Sequence, residues 1–262
     1  MRRALALLAC AWLAACDESA APTEASGRAP ARSSSFSATV SVHPELDIPP
    51  GEVRGEVRFV GEPPARRSLA VTSASGCGGA APLSDTLVIS SGGVLNTLIH
   101  ARSGLAAQFV EPPPATPVVL DQQNCVYAPH VVALRAGQVL EVRTSDGITH
   151  NVNAKPARNE RFNLSQTPGA PPIEARFERG ELSIPLSCDI HPWMSARVHV
   201  LEHQAFALSA EDGSFAIAGL PPGRYRFEAL HEALGETQFE VELDGRAGVF
   251  VQVEFKLNAA AK

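Results

Sequence analysis

Aromatic side chains are scarce in this sequence, 6% of 262 residues, and bases are outnumbered, 22 Lys and Arg against 28 Asp and Glu. The resulting net charge of -6 offers no basic surface to a phosphate backbone, so nucleic acid is excluded as an expected partner. The apolar run at the N-terminus, Ala4 to Ala15, falls short of the about 20 residues that cross a bilayer. Gly-x-Ser-x-Gly is missing, and with it the strand-to-helix turn of a nucleophilic serine. Long, capped patterns of helical period are missing too. What is abundant is turn chemistry, 20 Gly and 21 Pro, on a chain that is 45% hydrophobic and long enough to bury a sizeable core. Wholesale disorder is thereby excluded.

Met1-Arg2-Arg3 followed by the short apolar run reads as an export signal. The run ends in Leu13-Ala14-Ala15-Cys16, which resembles the lipobox of bacterial lipoproteins, in which the Cys is acylated and becomes the mature N-terminus; the alternative is plain secretion with cleavage nearby. Cleavage there removes two bases and no acid. The expected address is the periplasm, with the chain lipid-anchored at a membrane through Cys16. Residues 17–50 hold 18 Ala, Ser or Pro among 34, with little periodic hydrophobicity, and read as a flexible tether spanning on the order of 30 Å.

Of the five cysteines, Cys10 leaves with the signal and Cys16 carries lipid on this reading, so Cys77, Cys125 and Cys188 remain. In an oxidising compartment two of three should bridge. Cys188 lies among other soft donors, which leaves Cys77 and Cys125 as the expected disulfide, the alternative being two free thiols. The bridge closes a long loop and contributes about 4 kcal/mol in the chain-entropy picture.

Hydrophobic residues recur with period two: Val53, Val57 and Phe59 alternate with Arg54, Glu56 and Arg58. Comparable runs are Leu87–Ile89, Val94–Ile99, Val118–Leu120, Val131–Leu134, Leu140–Val142, Val198–Leu201, Ser214–Ala218, Arg224–Ala229, Gln238–Leu243 and Val249–Leu257. The one short helical candidate is His231–Leu234. An all-β chain of sandwich-like modules follows, with boundaries at Pro112–Pro117 and at Glu202–Ala205. Near the C-terminus, Asp212-Gly213 and Leu220-Pro221-Pro222-Gly223-Arg224-Tyr225 are turn signals between strands. Residues 204–257 resemble the carboxypeptidase regulatory-like, or transthyretin-like, module, which is a scaffold and no peptidase.

The chemistry is concentrated in residues 117–201. Cys188, His191 and Met194 share one short segment, and Thr149-His150-Asn151 ends an upstream strand. Two imidazoles, a thiolate and a thioether are the donor set of a blue-copper site, in which Met is a weak axial ligand. Thiolate and thioether suit Cu(I) and imidazole suits Cu(II), so a rigid site satisfying both changes little as an electron moves. The Cys-x-x-His-x-x-Met loop, His150 lying 38 residues upstream and Gly137 13 residues before that resemble amicyanin, a small cupredoxin. More widely, the arrangement resembles exported bacterial proteins called methylamine utilisation proteins.

The resemblance implies a Greek-key cupredoxin sandwich of eight strands with one type 1 copper. Cys188, His150 and His191 would be its equatorial ligands and Met194 the axial one, with Asn151 bonding across to the ligand loop. It implies a one-electron carrier rather than an enzyme, with a c-type cytochrome or a periplasmic dehydrogenase as redox partner, and electrons leaving through the exposed edge of His191 among Pro192 and Trp193. The expected organisation is a signal peptide at 1–16, the tether at 17–50, an N-terminal β module at 51–116, the cupredoxin domain at 117–203 and the regulatory-like module at 204–257. His-x-His pairs are missing, which excludes coupled oxidase centres, and a single Cys on the loop excludes a binuclear copper centre. His130 is expected to be structural, and His199 with His203, four apart on a strand, make no second metal site. The alternatives are a copper carrier or sensor without redox cycling, and a structural β-sandwich protein.

Overall fold

The computed structural model describes residues 36–45, 47–71, 76–77 and 81–257. The signal segment and Cys16 lie outside these residues. The described chain is all-β. Strands β1 (Phe36–Glu45), β2 (Val53–Val60), β3 (Ile89–Ser90), β4 (Gly93–Val94) and β5 (Leu98–Ser103) come first. Then follow β6 (Val118–Gln123), β7 (Val126–Ala128), β8 (Val131–Arg135), β9 (Val139–Thr144), β10 (His150–Ala154), β11 (Phe162–Gln166), β12 (Ile173–Arg176), β13 (Glu181–Ser187) and β14 (Ser195–Leu201). The last are β15 (Phe206–Leu208), β16 (Ser214–Ile217), β17 (Gly223–His231), β18 (Gly235–Leu243) and β19 (Gly248–Leu257).

The strands make two sandwiches, one inserted in the other. The outer sandwich pairs a sheet ordered β1-β19-β2-β4-β3, with β16 also on β2, with a sheet ordered β15-β5-β17-β18. Its core holds Val57, Phe59, Ile99, Phe227, Val251 and Phe255. The inserted sandwich pairs β11-β10-β13-β14-β8 with β12-β9-β6-β7 around Leu120, Leu134, Leu140, Phe177, Ile184 and Val198. The chain leaves the outer sandwich after β5 and returns in β15, which pairs with β5 itself at Phe206 and His100. The two crossing segments are tied together by the Ala101 N–H bonded to the Ala205 carbonyl at 2.9 Å and the Glu111 N–H bonded to Gln204 Oε1 at 3.2 Å.

Period two explains the inward faces. In β2, Val53, Gly55, Val57 and Phe59 point into the core. Gly55 is required there because a Cβ would collide with the Val251 carbonyl and the Phe215 ring. Gly137 turns β8 into β9 with φ +80, in the left-handed region that favours glycine.

Four expectations are corrected by this arrangement. Residues 36–45, read as tether, form β1, which pairs antiparallel with β19 from Phe36 with Leu257 to Glu45 with Gly248. The segments 51–116 and 204–257 are not separate modules, since β2 lies parallel beside β19 and β5 lies beside β17, so neither has a core of its own. The run Val94–Ile99 is divided between β4 and β5 by Asn96, which turns with φ +66. His231–Leu234 is the hairpin turn from β17 to β18, capped by the Ala233 and Leu234 N–H groups bonding to His231 Nδ1 at 3.1 and 3.3 Å.

Candidate metal centre

One end of the inserted sandwich carries the chemistry. His150 opens β10, while Cys188, His191 and Met194 occupy the segment between β13 and β14. That segment is a tight loop closed by two main-chain bonds, Met194 N–H to the His191 carbonyl at 2.9 Å and Cys188 N–H to the Met194 carbonyl at 3.2 Å. A donor atom from each of His150, Cys188 and His191 lies within 4.8 Å of the others. His150 Nδ1 is 2.9 Å from His191 Nδ1, and Cys188 Sγ is 3.6 Å from the same His191 atom. All three residues are buried, as is Met194.

The surroundings fix these side chains. His150 Nε2–H donates to Asp146 Oδ2 at 2.9 Å, which leaves Nδ1 with its lone pair turned toward the loop. Burial lowers the His150 pKa, partly offset by the bond to Asp146, and the neutral ring is the form that ligates a metal. Asn151 Oδ1 accepts from the Asp189 N–H at 2.7 Å, the Ile190 N–H at 3.4 Å and the Cys188 thiol at 3.3 Å. Its amide donates to Asn163 Oδ1 and to Asp189 Oδ2, and the Tyr127 hydroxyl donates to its carbonyl at 2.7 Å. Bonds from Asn153, Asn163 and Asn151 hold the Asp189 carboxyl below its ordinary range.

Cys77 and Cys125 are disulfide-bonded, and Cys188 is the free thiol among the described cysteines. The bridge touches the centre. Asn124 and Cys125 form a left-handed turn, φ +55 and +57, whose two N–H groups donate to the Asp146 carboxylate at 2.7 and 2.9 Å. Asp146 thus joins the turn bearing Cys125 to His150. Trp193 Nε1–H donates to the Cys125 carbonyl at 3.0 Å, tying the ligand loop to the same turn.

His191 departs from the expected exposed edge: it is 0% exposed. Its ring lies 5.3 Å from that of Trp193, and a donor atom of its imidazole lies within 4.8 Å of the sulfurs of Cys77 and Cys125. Trp193 itself is half-buried, and a cleft of about 660 Å³ beside it is lined by Val126, His130, Pro192, Trp193, Leu69 and Leu83 among others.

His130 is placed one step away from the centre. Its Nδ1–H donates to the Ser195 carbonyl at 2.9 Å, next to Met194, and its Nε2 bonds Glu232 of the outer sandwich. Arg197 also reaches Glu232, at 3.0 Å. Burial opposes ionisation of Glu232, but His130, Arg197 and His231 together hold its pKa below the usual value. His199 is buried on β14 and accepts the Ser183 N–H at Nδ1, and His100 bonds Glu228 at 3.1 Å. Among the described residues, none of His100, His199 and His203 belongs to a cluster with metal-ligand spacing.

Sequence spacing finds the four donors and Asn151 but not Asp146, Tyr127 or Asn163. Asp146 carries a local signal, four residues before His150 in Ser145-Asp146-Gly147; Tyr127 and Asn163 come from separate strands and carry none.

No protein-family profile matches this sequence, and no curated protein matches it. Solved structures that resemble it include cupredoxins. Amicyanin from Paracoccus versutus is 25% identical, with a TM-score of 0.30, over 39% of this chain and 97% of that one. A purple cupredoxin from Nitrosopumilus maritimus is 20% identical, with a TM-score of 0.28, over 32% of this chain and 98% of that one. A Cu-containing nitrite reductase from Thermus scotoductus is 19% identical, with a TM-score of 0.31, over 38% of this chain, which spans only 25% of the reductase.

Proposed function

We propose that the chain is an exported one-electron carrier with a single type 1 copper held by His150, Cys188, His191 and Met194. The observation that carries this reading is the convergence of three buried donors within 4.8 Å, His150 from β10 with Cys188 and His191 from the loop that also bears the buried Met194. The donor set fits copper: one thiolate, two neutral imidazoles and a thioether satisfy both oxidation states, whereas oxygen donors preferred by harder ions are confined to the surrounding shell. When bound, copper supplies reversible one-electron chemistry. The chain's own residues supply rigidity. Asn151 and the main-chain bonds of residues 188–194 fix the loop, Asp146 fixes the tautomer of His150, and the buried core excludes water.

Because His191 is covered, Trp193 is the group through which a redox partner makes contact, and a c-type cytochrome or a periplasmic dehydrogenase remains the proposed partner. The proposed address is the periplasm, by way of lipid at Cys16. Changing Cys16 to Ala should abolish lipidation and release the chain from the membrane fraction.

The test is the visible spectrum of the copper-loaded, oxidised protein. An intense blue thiolate charge-transfer band is expected, lost in Cys188→Ser and kept in Met194→Gln with a lower reduction potential. A colourless Cu(II) form, or identical behaviour of the two variants, would overturn the assignment.

A further inference from the structure

The disulfide is not remote from the centre. Donor atoms of Cys77, Cys125 and His191 all lie within 4.8 Å of one another, as do those of His150, Cys188 and His191. Cys125 is buried, whereas Cys77 is half-buried. The turn bearing Cys125 is held from both sides of the centre, by Asp146, which also bonds His150, and by Trp193 of the ligand loop. A disulfide used only to close a loop need not lie against a candidate ligand imidazole.

We propose that Cys77 and Cys125, once reduced, form with His191 a second metal site, selective for Cu(I), that adjoins the first and shares an imidazole with it. Two thiolates and one imidazole are a three-donor soft set, which suits Cu(I); structural zinc takes four donors. Reduction requires a dithiol. The Cys77–Cys125 bond breaks, the dithiol provides two electrons and two protons, and it leaves as its own disulfide. Cu(I) then displaces the two thiol protons. Since His191 belongs to both donor sets, a Cu(I) ion held at this second site lies beside Cys188 and His150, and the second site serves as an entry position for copper that the disulfide form does not offer.

The site shares a residue with the proposed blue-copper centre but does not rest on it, and Cys188→Ser separates the two. The experiment is an anaerobic Cu(I) competition titration against bicinchoninate on full-length Cys188→Ser protein, with the disulfide intact or reduced by a dithiol that is then removed. The reduced form is expected to retain one Cu(I) per chain with more than about 100-fold higher affinity than the disulfide form. Adding Cys77→Ser should abolish that gain, and adding His191→Ala should lower the affinity of the reduced form about tenfold or more. Equal affinity of the reduced and disulfide forms would overturn the proposal. So would a reduced form indifferent to His191→Ala, because two thiols in an unfolded chain bind Cu(I) without an imidazole. If Cys188→Ser does not fold, as judged by circular dichroism, Cys188→Ala serves in its place with the same outcomes.

Discussion

Asp146 Oδ2 lies 2.9 Å from His150 Nε2, while the other nitrogen of the same ring lies 2.9 Å from His191 Nδ1. A single carboxylate therefore decides which His150 nitrogen faces the thiol loop. It also accepts the N–H groups of Asn124 and Cys125, so the left-handed turn and the imidazole are set by one group. Asp146→Ala should lower copper affinity about 10- to 100-fold, the usual consequence of removing such a partner. Asp146→Asn, which can still accept one bond, should fall between. A competition titration checks both, and unchanged affinity in Asp146→Ala would show that the tautomer is fixed by something else.

Asn151 contributes in another way, by accepting the main-chain N–H groups of Asp189 and Ile190. Asn151→Ala removes the acceptor of two part-buried main-chain donors on residues that are themselves exposed, an effect of about 0.5 to 1.5 kcal/mol. Denaturant unfolding of the metal-free protein should show that loss. A change confined to the copper-loaded form would instead mean that the loop is held by the metal rather than by Asn151.

The inserted sandwich was legible because its signals are local. Alternation in Leu140 and Val142 and the spacing of Cys188, His191 and Met194 each lie within a few residues of sequence. The outer sandwich was not. Its sheet places β2 between β19 and β4, so two strands almost 200 residues apart must pair, and turn chemistry at residues 211–225 says nothing of that partnership. Burial of His191 is equally hidden in the sequence, because Cys77 and Cys125, whose sulfurs lie near its ring, come from other segments. The half-exposed pattern of β1 explains its tether-like composition: only Phe36, Ala38, Val40 and Val42 face the core, separated by Ser37, Thr39 and Ser41.

Acid sensitivity should come from histidines away from the centre. Burial pushes His199 and His231 down to about 4, so both are neutral in the fold and take up protons near their ordinary value of 6.5 when unfolded. Between these values the unfolded chain binds more protons, and stability falls as pH falls, by up to about 1.4 kcal/mol per pH unit for each group. From pH 7 to pH 5 each should remove about 2 kcal/mol. Urea titrations at the two pH values should therefore show a smaller difference in His199→Gln than in the parent. An identical pH dependence would mean that His199 is protonated in the folded chain.

The strand β1 offers a test of where the folded part begins. It pairs along its whole length with β19, and Phe36 meets Phe59 edge-on with ring centroids 6.3 Å apart. A chain starting at residue 46 loses this cover and leaves β19 as a long exposed edge, the kind of edge that promotes association. The half-buried Phe36, Val40 and Val42 together stabilise the fold by about 3 kcal/mol on the usual scale for apolar burial. A chain starting at residue 34 should match the untruncated tether in thermal unfolding, whereas one starting at 46 should melt lower and show concentration-dependent association by sedimentation. Because the inserted sandwich has its own core, copper binding should survive the second truncation at temperatures below its melting point. If both truncations melt alike and remain monomeric, β1 adds nothing to the sheet, and residues 36–45 behave as the tether that their composition suggests.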